Sequence, residues 1–131
     1  MAQTLILVVD DDAPINAVIC DVLQQEGYTV QGCLGMTETY HILETVHPAL
    51  IITDLWMETP DSGWQLMQQL RQMPEYANLA LIVCAANTTF LREHARELQA
   101  LNCGVVEKPF DVDDLLRCVA TYIQPAHIGS S

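Results

Sequence analysis

The stretch Leu5-Ile6-Leu7-Val8-Val9-Asp10-Asp11-Asp12 decides how the rest of the chain is read. Five aliphatic residues in succession predict a strand covered on both faces, because no alternation leaves a solvent side. Three carboxylates follow at once, and like charges this close raise one another's proton affinity unless a cation neutralises them. A hard divalent ion with oxygen ligands does so best, and Mg²⁺ in particular takes one or two carboxylates plus phosphate oxygens. Asp12 has a second use: it stands just ahead of Pro14 and fits the N-cap of a helix that the proline opens.

Outward from this stretch, strand-like and helix-like segments alternate. Further strands are predicted at Thr29–Cys33, Leu50–Thr53, Leu81–Cys84 and Val105–Glu107. Leu50-Ile51-Ile52 and Leu81-Ile82-Val83 are continuously apolar, as buried parallel strands should be. Between them, Ile15, Val18, Ile19, Val22 and Leu23 follow helical spacing, and Gly27 stops that helix. Leu91, Ala95 and Leu98 form a stripe of the fourth helix. Val112, Leu115, Leu116, Val119 and Ile123 form a stripe of the last, with Asp111 as its cap. This is an α/β pattern, (βα)5, which predicts a doubly wound, five-stranded parallel sheet with right-handed crossovers. One domain is expected over residues 1–124, with 125–131 (PAHIGSS) as a C-terminal tail or the start of a linker. Ligands of such folds bind at the carboxyl ends of the strands. The chemistry is therefore expected at Asp10 and Asp11, at Asp54, at Ala85-Ala86-Asn87 and at Lys108-Pro109.

Seventeen acidic residues against five basic ones give this 131-residue chain a formal net charge of −12. Such a surface repels phosphate backbones and argues against direct nucleic-acid binding. The five cysteines are scattered and odd in number, a usage that suits small hydrophobes in a reducing compartment rather than a disulfide framework. The four histidines lack ligand spacing, so no zinc site is expected. The N-terminus lacks the basic region of a signal peptide, and no apolar run reaches membrane-spanning length. A cytoplasmic protein is expected.

Three motifs in order, "LILVVDDDAPI", "LIITDLWM" followed by Gly63, and "VVEKPF", resemble the receiver domain of two-component response regulators, including single-domain receivers of the chemotaxis type. The resemblance runs from residue 4 to about 124 and implies a flavodoxin-like receiver fold. It makes Asp54 the phosphoryl acceptor, Asp11 the direct Mg²⁺ ligand and Asp10 its supporting partner. It assigns the Trp56 backbone carbonyl to the metal and Lys108 to the acceptor or its phosphoryl group, turned inward by a cis bond to Pro109. A histidine kinase or phosphotransfer protein is the implied donor. The face formed by the fourth helix, fifth strand and fifth helix is the implied meeting place for an effector or a second copy. The physics agrees: an attacking carboxylate and a transferring phosphoryl group both need their charge neutralised, which a cation and a lysine do by position and electrostatics.

Two switch positions depart from the family pattern. Ala85 stands where a Ser or Thr hydroxyl is usual, and Val105 where a Tyr or Phe is usual. A hydrogen bond to a charged group is worth about 1.5–3 kcal/mol, against about 5.5 kcal/mol to invert a 1:99 equilibrium, so the missing hydroxyl is a large share of the drive. Thr88 and Thr89 lie three and four residues late to replace it. Glu58 also replaces the usual proline after Met57, in a loop that reads as one residue longer. These departures keep open a pseudo-receiver that binds partners without phosphorylation. A metal-dependent aspartyl phosphatase, with Asp10 as nucleophile and Asp12 as acid-base, is a further alternative. Ala13-Pro14 where such enzymes carry a threonine, and a chain too short for a substrate cap, weigh against it. No turnover enzyme is expected.

Overall fold

A computed structural model describes residues 5–55, 62–86, 88–108 and 110–128. Its strands are β1 (Leu5–Val9), β2 (Thr29–Cys33), β3 (Leu50–Asp54), β4 (Ala80–Ala85) and β5 (Cys103–Glu107). All pair in parallel, in the order β2-β1-β3-β4-β5. The helices are α1 (Ala13–Gln25), α2 (Met36–Leu43), α3 (Ser62–Gln72), α4 (Thr88–Glu93), α5 (Ala95–Leu101) and α6 (Val112–Ile128), with one 3₁₀ turn at Pro74–Tyr76. The five strands and their direction are as the apolar runs predict, with β3 longer by Asp54, β4 longer at both ends and β5 beginning two residues earlier.

Alternate residues of each central strand serve two cores. Ile6, Val8, Leu50, Ile52 and Ile82 face α1 and α6, meeting Ile19, Leu23, Leu115 and Val119. Leu7, Val9, Ile51, Leu81 and Val83 face the other helices, meeting Leu43, Leu66, Met67, Leu70 and Leu98. Burial on both faces is why these strands show no polar alternation.

Three helical expectations are corrected. The buried line of α1 is Asn16, Ile19 and Leu23, whereas Ile15 and Val18 are exposed. Ile19 and Leu23 of the expected stripe are buried, and an asparagine takes the core position beside them in place of Ile15 and Val18. The fourth helix is two helices, separated at His94. The His94 Nδ1–H donates to the Phe90 carbonyl at 3.0 Å, and its ring stacks on Phe90 at 3.9 Å with Trp64 edge-on at 5.5 Å. Ala95 is exposed, so only Leu91 and Leu98 of that stripe are buried. The last helix continues through Pro125 to Ile128, into the segment expected as tail. One missing N–H removes one helical hydrogen bond and does not by itself end a helix.

Arg71, near the end of α3, ties the far side together. Its guanidinium donates to the carbonyls of Leu101 (2.7 Å), Tyr76 (3.0 Å) and Asn102 (3.3 Å). Two of these end α5, whose C-cap Asn102 is left-handed at φ 55°, so the cation meets the negative end of a helix. Arg71→Ala is expected to cost about 2 kcal/mol, the worth of hydrogen bonds to a charged donor. Arg71→Lys should recover little, since a single ammonium cannot reproduce the fork. Urea midpoints of the three proteins check both.

Candidate functional site

β1 and β3 are neighbours whose following connections depart to opposite faces of the sheet, so a crevice opens at their carboxyl ends. The sequence puts Asp10 at the end of β1 and Asp54 at the end of β3, on its two sides. Carboxylate oxygens of Asp10, Asp11 and Asp54 lie within 4.8 Å of one another. Asp10 is buried, Asp54 half-buried and Asp11 exposed. Lys108, just past β5, crosses to them. Its Nζ stands 3.1 Å from Asp54 Oδ1 and 3.5 Å from Asp10 Oδ2. Its backbone N–H donates to the Ala85 carbonyl at 2.8 Å, which fixes the root of the side chain at the end of β4.

Backbone contacts hold Asp10 and the chain around Asp54 in place. The Asp10 N–H donates to the Cys33 carbonyl at 3.0 Å, and the Asp12 N–H donates to Asp10 Oδ1 at 2.9 Å. The Leu55 N–H donates to the Cys84 carbonyl at 2.9 Å, fixing the chain beyond Asp54. Asp12 takes the capping role: its side chain accepts from the Ile15 N–H at 3.2 Å, and it is not one of the three clustered carboxylates.

Burial pushes the Asp54 carboxyl above its usual range, and the hydrogen bond and charge of Lys108 only partly offset this. Burial also works against the charge on Lys108, but Asp54 and Asp10 outweigh it, and its pKa stands above the ordinary lysine value. Three carboxylates sharing one ammonium leave the pocket negative.

That donor set fits a hard cation. Ligands at about 2.1 Å in an octahedron are at most about 4.2 Å apart, so a small rotation of exposed Asp11 or a bridging water closes the difference. Among the described residues the clustered ligand groups are carboxylates, whose oxygens favour Mg²⁺ over metals that seek nitrogen or sulfur. The five cysteines carry free thiols. Those of Cys33 and Cys84 are pushed up by burial to about 11 and about 12, which makes them inert.

The expected switch positions are placed as follows. Ala85 ends β4 and is buried, its methyl group part of the core that holds Val83, Leu91 and Leu98. Val105 on β5 is 39% exposed. Thr89 is exposed on α4. Trp56 and its carbonyl, Glu58 with its loop, Asn87, and Pro109 with the bond before it all lie outside the described residues.

One contributor was missed in the sequence. Asn16 of α1, 5% exposed, donates its Nδ2 to the carbonyls of Val8 (3.2 Å), Asp10 (3.1 Å) and Cys33 (3.0 Å). A lone amide at helical spacing with Ile19 and Leu23 was the available signal.

A doubly wound sheet with an acidic, lysine-crossed crevice at its switch point is the architecture of a signalling receiver. The chain belongs to the response regulator receiver domain family, which matches residues 6–120. It is 34% identical over 125 residues to an uncharacterized 14.6 kDa protein of Leptolyngbya boryana, covering 93% of this chain and 92% of that one. It is 27% identical to sporulation initiation phosphotransferase F of Bacillus subtilis, covering 94% and 96%. Among solved structures, a response regulator receiver protein from Pseudomonas putida superposes with a TM-score of 0.81 at 32% identity, covering 92% and 98%. The Vibrio cholerae chemotaxis response regulator CheY4 shares the fold at 0.81 and 23% identity, covering 92% and 99%. Receiver domains generally bind Mg²⁺ at an acidic pocket, and this chain has the acids for one. No helix among the described residues is long and apolar enough to cross a membrane.

Proposed function

We propose that Asp54 accepts a phosphoryl group from the phosphohistidine of a histidine kinase or phosphotransfer protein, with Mg²⁺ held by Asp10, Asp11 and Asp54. The observation that carries this reading is the 3.1 Å approach of Lys108 to Asp54 inside a cluster of three carboxylates. An Asp54 oxygen forms the new O–P bond as the P–N bond to the donor imidazole breaks, and the released ring nitrogen takes a proton from solvent. Lys108 neutralises the charge gathering on the phosphoryl oxygens, while Asp10 and Asp11 hold the metal rather than the donor. Bound Mg²⁺ supplies further charge neutralisation and fixes the orientation of the group. The phosphoryl group stays on this chain's own aspartate, so the protein is a stoichiometric acceptor rather than a turnover enzyme.

Incubation with acetyl phosphate and Mg²⁺ should place an acid-stable, base-labile phosphoryl group on the peptide containing Asp54, and chelation should prevent it. Absence of label, or equal label in excess chelator, sinks the proposal.

Ala85 favours a second reading, in which partner binding ignores phosphorylation, because the buried methyl offers no hydrogen bond to a phosphoryl oxygen. One surface open to a partner or second copy among the described residues is a groove of about 560 Å³ between α4, α5 and β5, lined by Leu91, Ala95, Leu98 and Val105 with Arg92 and Glu107. Partner affinity that is unchanged between the free and phosphorylated protein would select this reading.

A further inference from the structure

The geometry points to Asn16 as a positioning residue for the acidic pocket, seated by the missing side chain of Gly32. This rests on the metal reading above and names what sets that site's geometry.

The amide is fully occupied. Its two N–H bonds are shared among the carbonyls of Val8, Asp10 and Cys33, all within 3.0–3.2 Å, while Cys20 Sγ lies 3.4 Å from Oδ1. The orientation is unambiguous, because a flipped amide would set its oxygen against three carbonyl oxygens. The three acceptors belong to the ends of β1 and β2 and to Asp10 itself. The Cys33 carbonyl also receives the Asp10 N–H, so both peptide groups of Asp10 are tied through one small network. Asp10 then aims one oxygen at Lys108 and hands the chain directly to Asp11. Asn16 touches neither metal oxygens nor phosphoryl acceptor; it acts through the backbone that carries two of the three acids.

Gly32 makes room for it. A Cβ built there would lie 2.4 Å from Asn16 Oδ1 and 3.4 Å from its Cγ and from Cys20 Sγ. Such contact displaces the amide, the flexible partner, before it displaces the strand. Gly104 offers an internal control at the other side of the sheet. Its added Cβ would lie 2.5 Å from Tyr122 Cε2 and 3.1 Å from Cys118 Sγ, equally crowded but remote from the acids.

Residues that orient ligands from behind typically govern metal affinity by about 10–100-fold. Calorimetric Mg²⁺ titration of the full chain should therefore show Asn16→Ala and Gly32→Ala each raising Kd about tenfold or more. The double variant should bind like Asn16→Ala alone, since the clash disappears with the amide. Gly104→Ala should lower Tm yet leave Kd within about twofold of wild type, a split that general loosening of the fold would not give. Wild-type Kd retained in Asn16→Ala, or effects of the two variants that multiply in the double, overturns the inference. If Asn16→Ala does not fold, Gly32→Ala decides on the same criterion. Wild type that binds no Mg²⁺ brings down the metal reading and this one together. Mg²⁺ binding that is lost in Asp54→Asn but intact in Asn16→Ala and Gly32→Ala brings down this one alone.

Discussion

Asp54→Asn is expected to abolish phosphoryl uptake and, in metal-free buffer, to make the protein more stable. The first half follows from the chemistry, because an amide oxygen is a poor nucleophile and cannot hold an acyl phosphate. The second follows from the sign of the pKa shift. Burial holds the folded-state pKa of Asp54 above its unfolded value, so the fold binds that proton more tightly than the open chain does. Stability contributed by this group is therefore greatest in acid and falls as pH rises from the unfolded pKa through the folded one. At neutral pH the ionised carboxylate is a net burden, and asparagine has its shape without its charge. Lys108 is not stranded by the change, since Asp10 remains 3.5 Å away. A Tm above that of wild type is expected, by the sign of that shift. Mg²⁺ should then narrow the gap: at ten times Kd a ligand adds about 1.4 kcal/mol to a protein that binds it, and the variant has lost one of its three acids. Thermal melts with and without Mg²⁺ check this, and a metal-free Tm below wild type would show that the Lys108 pair, not burial, dominates. The pattern is that of a functional site kept at a cost in stability.

The acidic crevice was legible because each of its parts follows a strand. An apolar run that ends in an acid has only one place to put it in a parallel sheet, the carboxyl edge, and Asp10, Asp54 and Lys108 all obey this. What stayed hidden was polar chemistry acting from helices. Hydrophobic spacing finds the buried Ile19 and Leu23 but adds the exposed Ile15 and Val18, because the third core position of α1 is the polar Asn16. The amide tolerates burial only because three strand-end carbonyls meet it, and those are pairings no local pattern encodes. Arg71 is similar: a polar α3 residue, two of whose three partners lie about thirty residues on, at the end of α5. The break at His94 was hidden for a related reason, since the spacing of Leu91 and Leu98 is the same whether the helix is continuous or divided. Gly63 was read only through family resemblance, without a physical reason.

The structure supplies that reason, and with it the largest stability effect expected here. Gly63 enters α3 directly beneath the end of β3, where its N–H donates to the Leu55 carbonyl at 2.9 Å. A Cβ at this position would lie 1.9 Å from the Asp54 carbonyl oxygen, 2.8 Å from that of Leu55 and 2.9 Å from the Asp54 carbonyl carbon. All three are backbone atoms, so no side chain can turn aside to absorb the contact. Either α3 lifts off the sheet or the end of β3 moves. The first unseats Leu66, Met67 and Leu70, each fully buried in the core beneath α3. The second displaces the peptide that carries the candidate acceptor. Overpacking of a well-filled interior costs about 1–3 kcal/mol, occasionally more. A rigid clash of this depth belongs at or beyond the upper end, so Gly63→Ala is expected to lose about 3 kcal/mol or more. Urea unfolding should show the midpoint fall with little change in slope. Phosphoryl uptake by the remaining folded protein should fall as well, because an error of about 1 Å at a reacting group is worth about a hundredfold in rate. A midpoint within error of wild type would mean that the β3–α3 junction yields at no cost, and that the close approach of helix and strand is not what fixes Asp54.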